Sequence, residues 1–175
     1  MLKHERCFFV TTTCNRWQHI FTNANRCEVI INSLDFVANK YGAKILAYVL
    51  MPNHLHFIIV FDGENKLSSL MRDIKKFTSG EVRRILQQEN EDELLNKLTY
   101  EHRTQKFKIW MDGFDDVWLG KRELVETKIS YIHNNPLRPH WRLVESPTDY
   151  EYSSAKFYYF DQKQLVNLTH YREYF

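Results

Sequence analysis

The chain has 175 residues, 43% of them hydrophobic and 15% aromatic, with 24 basic and 22 acidic side chains for a formal charge of +2. That size and apolar content suffice for one domain with its own core, and the near balance of charge excludes binding through bulk basicity, so any cationic surface has to come from local clustering. Three cysteines without C-x-x-C spacing argue against a disulfide scaffold, and with neither an apolar run behind the charged first residues nor a stretch of roughly 20 apolar residues, a cytoplasmic protein without a membrane span is expected.

Residues 7–14 are β-branched and aromatic, with Phe8, Phe9, Val10 and three consecutive threonines, and predict a first strand. Asn25 followed by Glu28 reads as a capping box; behind it Cys27, Ile30, Ile31, Leu34, Val37, Ala38 and Tyr41 recur at helical spacing until Gly42. Residues 44–49 and 54–61 predict two more strands, joined through Met51-Pro52-Asn53, where proline and asparagine suit a turn and not a ladder position. Leu67, Leu70, Met71, Ile74, Phe77, Val82, Ile85 and Leu86 mark a second helix, weakened by Gly80, whose other face carries Arg72, Lys75, Lys76 and Arg83. The acidic stretch 89–101 reads as a surface insertion or a short extra helix. Phe107, Ile109 and Met111 alternate with polar residues and predict a fourth strand, while Val125, Ile129 and Ile132 form the stripe of a helix ending before Pro136.

This order is the split βαβ pattern of ferredoxin-like folds, an α+β architecture with an antiparallel sheet and helices on one face. No repeat or linker divides it. A single domain over 1–175 is expected, with its core over about 5–136 and with 137–175 as a C-terminal extension packed back on that core.

His54-Leu55-His56 is the most informative triplet, because residues two apart on a strand project from one face and can present two imidazoles to one ion. Imidazole tolerates several metal geometries, so the pair does not identify the ion, and spacing alone leaves metal binding and ordinary strand packing equally open. Tyr131 and Asn135, four residues apart, share a helix face. Taken alone, Tyr131 reads as a boundary core residue with a solvated hydroxyl, and Asn134 and Asn135 as helix-ending residues before a proline. Together the two constellations say more. A phenol is a poor nucleophile toward phosphate unless a Lewis acid polarises the target, and a rigid helix holding Tyr131 beside such an ion makes the attack nearly intramolecular.

Four segments then carry a resemblance: Met51-Pro52-Asn53-His54-Leu55-His56, Trp110 through Phe114 (W-M-D-G-F), Tyr131 through Arg138 (Y-I-H-N-N-P-L-R), and Asp149-Tyr150 with Tyr152-Ser153-Ser154-Ala155. In this order, over most of the chain, they resemble the HUH-type tyrosine transposases of bacterial insertion sequences, in particular the branch associated with repetitive extragenic palindromes. The resemblance implies an HUH endonuclease fold, Mg²⁺ or Mn²⁺ held by His54 and His56, and Tyr131 as a nucleophile that cleaves single-stranded DNA near a hairpin. It also implies a 5′-phosphotyrosine link with release of a 3′-hydroxyl, and Asn135, ahead of His133, as the residue completing the metal site. Pro139-His140-Trp141 departs from the pattern, since many relatives carry a small residue and a glycine there.

Single-stranded DNA with hairpin or palindromic structure is the expected partner, with a homodimer among the assemblies the resemblance allows. Arg72, Lys75, Lys76, Arg83, Lys128 and Arg138 are candidates for the phosphates, and Trp110, Trp118 and Trp141 for stacking on bases. Two other readings stay open: a DNA-hairpin binding protein without catalysis, and a metal-dependent nuclease that activates water and uses Tyr131 only structurally.

Overall fold

The threonine-rich first segment forms β1 (Cys7–Thr13), and the hairpin around Pro52 forms β2 (Ala43–Met51) and β3 (His54–Phe61). The structure, a computed structural model, describes residues 6–102 and 104–175, so the charged start of the chain lies outside it. Between these strands run α1 (Ala24–Lys40) and, after β3, α2 (Leu67–Gln88), which passes through Gly80 without a break. There follow α3 (Asp92–Leu98), β4 (Thr99–His102), β5 (Thr104–Phe107), β6 (Asp115–Trp118), α4 (Arg122–Asn134) and α5 (Ala155–Phe160).

The main sheet is antiparallel, in the order β2-β3-β1-β6. β3 is buried almost throughout, which explains why it reads as the run His-Leu-His-Phe-Ile-Ile-Val-Phe and not as an alternating strand: both faces of the sheet are covered. On one face Val10, Tyr48, Leu55, Phe57 and Ile59 pack with α1 and α2, the helical layer expected for the split βαβ pattern. On the other, Phe9, Val49, Met51, Ile58 and Val60 pack with Val125, Ile129 and Ile132, which corrects the expectation of helices on one face only: α4 adds a second layer on the opposite face. A bulge between Ile45 and Ala47 resets the alternation of β2, and Leu46 and Ala47 both join the α4 side.

Two further sequence expectations are corrected. The fourth sheet strand is β6, pairing Phe8↔Trp118 to Thr11↔Asp115, and not the 107–111 segment. Asp115–Trp118 is exposed at every position, so it carries no apolar period, while Ile109 and Trp110 are buried as a plug beside the end of β1, with Trp110 Nε1 donating to Thr78 Oγ1 at 2.8 Å. Phe107 itself ends the separate two-stranded β4-β5 ribbon. The cap of α1 is Asn23, whose side chain accepts from the Arg26 N–H at 3.1 Å, because the helix starts earlier than the Asn25–Glu28 spacing implies. Within the acidic stretch α3 is the short extra helix that the sequence allowed, and the stretch also opens on an ion pair: Glu89 and Glu91 pair with Arg26, which is 3% exposed and needs that compensation.

The chain beyond residue 140 runs along the free edge of β2. Ser154 N–H donates to Tyr48 O (2.9 Å), the Tyr150 hydroxyl to Leu50 O (2.8 Å) and the Tyr158 hydroxyl to Leu46 O (2.8 Å), satisfying backbone groups that an open edge would leave to solvent or to another chain. Among the described residues no helix is long and apolar enough to cross a membrane.

Candidate active site

Strand alternation at the start of β3 points Leu55 into the α1–α2 core and leaves His54 and His56 on the α4 side, their ring centroids 4.6 Å apart. Each ring is fixed from behind through Nδ1. His54 Nδ1 lies 2.7 Å from Asn53 Oδ1; a carbonyl oxygen only accepts, so Nδ1 carries the proton and Nε2 keeps its lone pair. His56 Nδ1 lies 2.8 Å from Thr11 Oγ1, a contact that the β1–β3 register creates by setting Thr11 opposite His56. Phe9 stacks on the His56 ring at 5.3 Å. Burial pushes His54 down to about 4; burial, with the nearby His54, Arg138 and Lys128, pushes His56 down to about 3. Both imidazoles are therefore neutral at physiological pH, the form that binds a metal.

The turn that presents His54 is a junction. Pro52 O accepts the N–H groups of Ile20 (2.8 Å) and Phe21 (2.9 Å), Asn53 O accepts that of Cys14 (2.7 Å), and Asn53 Nδ2 donates to Trp17 O (3.4 Å). Met51-Pro52-Asn53 thus holds the 14–21 loop against the site, with Asn53 serving the loop and the imidazole at once.

Helix α4 delivers Tyr131 and Asn135 to the same place. Asn135 keeps helical dihedrals (φ −58°, ψ −45°) although Pro136 follows, so the one-turn relation to Tyr131 survives. Its side chain reaches His54, yet Asn135 is 2% exposed and no donor of good geometry faces Oδ1. A buried, unsatisfied carbonyl oxygen is costly, and a cation is one partner that would satisfy it. Two neutral imidazoles, His54 with its lone pair at Nε2 and His56 with its lone pair there in the tautomer that donates to Thr11 Oγ1, and one orphaned amide oxygen fit a divalent ion that prefers mixed nitrogen and oxygen donors. Among the described residues no group of three His, Cys, Asp or Glu side chains offers an alternative. His133 is committed elsewhere, its Nε2 2.9 Å from Ser154 Oγ in a buried pocket.

Tyr131 stands on the imidazole side of the sheet, its ring edge-on to His56 (centroids 5.3 Å) and to Phe9 (5.8 Å). The Arg138 guanidinium lies over the Tyr131 ring at 4.3 Å, and Lys128 Nζ lies 5.4 Å from that ring and 4.5 Å from Phe9. The other candidate cations are not gathered here. Arg72, Lys75, Lys76 and Arg83 ride on α2, which packs against the opposite face of the sheet. Lys75 donates to Met111 O and Gly113 O, Arg72 pairs with Asp73, and Arg83 covers Phe107, while Lys76 is exposed. Sequence reading missed Thr11, Asn53 and Phe9. Asn53 sat inside a quoted motif but was read only as a turn residue, and the contact of Thr11 depends on strand register, which the threonine run does not reveal.

The antiparallel sheet and its helices match the fold of a solved transposase structure. A solved structure described as a REP-associated tyrosine transposase bound to a REP hairpin matches with a TM-score of 0.67 at 18% identity, over 97% of this chain and 88% of that one. A candidate transposase from Deinococcus radiodurans R1 matches at a TM-score of 0.44 and 12% identity, over 73% of this chain and 88% of that one. No curated protein matches. A family model described as IS200-like transposase matches residues 6–135, and the chain belongs to that family.

Proposed function

We propose that this transposase cleaves and rejoins single-stranded DNA at hairpins or palindromic repeats in the cytoplasm, through a 5′-phosphotyrosine on Tyr131 and with a divalent metal ion, Mg²⁺ or Mn²⁺. The observation that carries the reading is the convergence of the Tyr131 ring, the two neutral imidazoles and the orphaned Asn135 Oδ1 on one side of one sheet. The structural neighbour solved with a REP hairpin supports a folded DNA strand as the substrate.

His54, His56 and Asn135 would hold the metal, which when bound supplies Lewis-acid polarisation of a phosphate oxygen. Lys128 and Arg138 bind and orient the scissile phosphate, since they are the candidate cations that adjoin Tyr131. Phe9 and His56 hold the phenol edge-on, so that its oxygen meets the phosphorus without a search through rotamers. Tyr131 Oη attacks phosphorus and loses its proton; the bond from phosphorus to the 3′ oxygen breaks, and that oxygen leaves as a protonated 3′-hydroxyl. Attack of another 3′-hydroxyl on the phosphotyrosine restores the phenol and joins new strands, with one phosphodiester broken and one made, so no nucleotide cofactor is consumed.

The test is incubation with a hairpin oligonucleotide carrying single-stranded flanks and Mn²⁺, read on a denaturing gel. A covalent adduct on the 5′-phosphate side, lost in Tyr131→Phe, is expected. Cleavage that leaves a free 5′-phosphate would instead identify a water-activating nuclease, and a shifted native band without cleavage a hairpin-binding protein.

A further inference from the structure

The 14–21 loop is built as if to display aromatic rings. Arg16 (φ 54°) and Trp17 (φ 52°) both adopt left-handed backbone that non-glycine residues avoid, and Trp17 is left 66% exposed. This conformation is held by the Asn53 bond to Trp17 O and by Trp17 N–H donating to Cys14 O at 3.0 Å. Two residues on, the exposed His19 ring lies 5.3 Å from the Trp141 indole, which in turn lies 5.9 Å from His54. Trp141 comes from the segment that follows α4. A tight turn, with Trp141 N–H (2.8 Å) and Arg142 N–H (2.9 Å) both donating to Arg138 O and with Arg142 at φ 45°, folds it back toward the imidazoles.

We infer that Trp141, with His19 and Trp17, forms a stacking platform for unpaired DNA bases beside the reacting phosphate. This rests on the functional reading above. A phosphate bound by Arg138 and Lys128 leaves the neighbouring nucleotide on one side close to the Trp141–His19 pair, because Trp141 touches His54 and follows Arg138 by three residues. Aromatic faces take up any base without reading its edge, and the exposed Arg142, next to Trp141 in the chain, adds charge suited to the backbone between such bases. Trp17 belongs to neither hydrophobic core, so its exposed indole on constrained left-handed backbone is free to meet a ligand.

The test measures binding in EDTA, so that turnover plays no part, by fluorescence anisotropy of two labelled oligonucleotides: a blunt hairpin and the same hairpin with single-stranded flanks. Trp141→Ala is expected to weaken the flanked hairpin by roughly ten-fold, the size of one lost stacked base, and Trp17→Ala by a similar or smaller factor, with the blunt hairpin unchanged. Trp141→Phe should restore most of the loss, and abasic sites in the flank should reproduce it with wild-type protein. Because Trp141 is half-buried, Trp17→Ala guards against a folding defect. Flanked-hairpin affinity equal to wild type in both alanine variants overturns the platform while leaving adduct formation by the wild type intact. A wild type that binds neither oligonucleotide fails the functional reading itself, and the platform falls with it.

Discussion

Asn53 Oδ1 accepts the His54 Nδ1 proton at 2.7 Å, and the same side chain donates to Trp17 O, so one turn residue sets both the tautomer of an imidazole and the path of the neighbouring loop. Partners of this kind behind a metal-binding histidine typically govern affinity by about 10- to 100-fold. Asn53→Ala is therefore expected to weaken Mn²⁺ binding within that range, measured by titration calorimetry, with the secondary structure kept. Unchanged Mn²⁺ affinity would separate the hydrogen bond from metal binding.

Tyr131→Phe keeps the ring between Arg138, Phe9 and His56 and removes only the hydroxyl. It should abolish adduct formation and leave hairpin affinity within about two-fold of wild type, because the lost group acts only in the transition state. Residual cleavage by the variant would assign the nucleophile elsewhere.

Asn135→Leu separates stability from function. Removing a buried oxygen that has no donor should raise the thermal stability of the metal-free protein, by up to about 1 kcal/mol, since such groups cost roughly 1–3 kcal/mol when left unpaired. Mn²⁺ is expected to raise the Tm of the wild type, and the same change should cancel that rise. A variant less stable without metal, or still stabilised by Mn²⁺, contradicts the role given to Oδ1.

Tyr158 shows how the C-terminal segment responds to pH. Its hydroxyl donates to Leu46 O, and burial holds its pKa well above the ordinary 10.0. A folded pKa above the unfolded one means that this stabilisation is complete below about pH 10 and is lost as pH rises through the folded value. Tyr158→Phe should cost about 1 kcal/mol at neutral pH and flatten the alkaline limb of a stability-against-pH curve. Denaturant unfolding across that range, with phenolate absorbance as a second probe, checks both; an unchanged alkaline limb would place the sensitivity in Tyr48 or Tyr150, which burial also shifts upward.

Arg26 offers a test on the α1–α2 side. With 3% exposure it depends on Glu89 and Glu91, and replacing both by Gln strands a buried charge. A loss of about 3 kcal/mol is expected in urea unfolding, far more than exposed glutamates return. A loss under about 1 kcal/mol would mean that the guanidinium is hydrated in solution.

Local spacing by itself determines much of this protein. A strand repeats every two residues and a helix every 3.6, so His54 had to share a face with His56, and Tyr131 with Asn135. The order β1, α1, β2, β3, α2 and α4 was legible from the composition, period and breakers of each segment, whereas β6 was not. Only the tertiary structure decided that α4 covers the face the imidazoles occupy, that Thr11 stands behind His56, and that Arg72, Lys75, Lys76 and Arg83 lie across the sheet from Tyr131. It also decided that the exposed Asp115–Trp118, which has no apolar period, closes the sheet while the alternating 107–111 segment does not. These are relations between residues far apart in the chain, set by strand register and by which apolar surfaces bury one another, and neither is encoded in the periodicity of any single element.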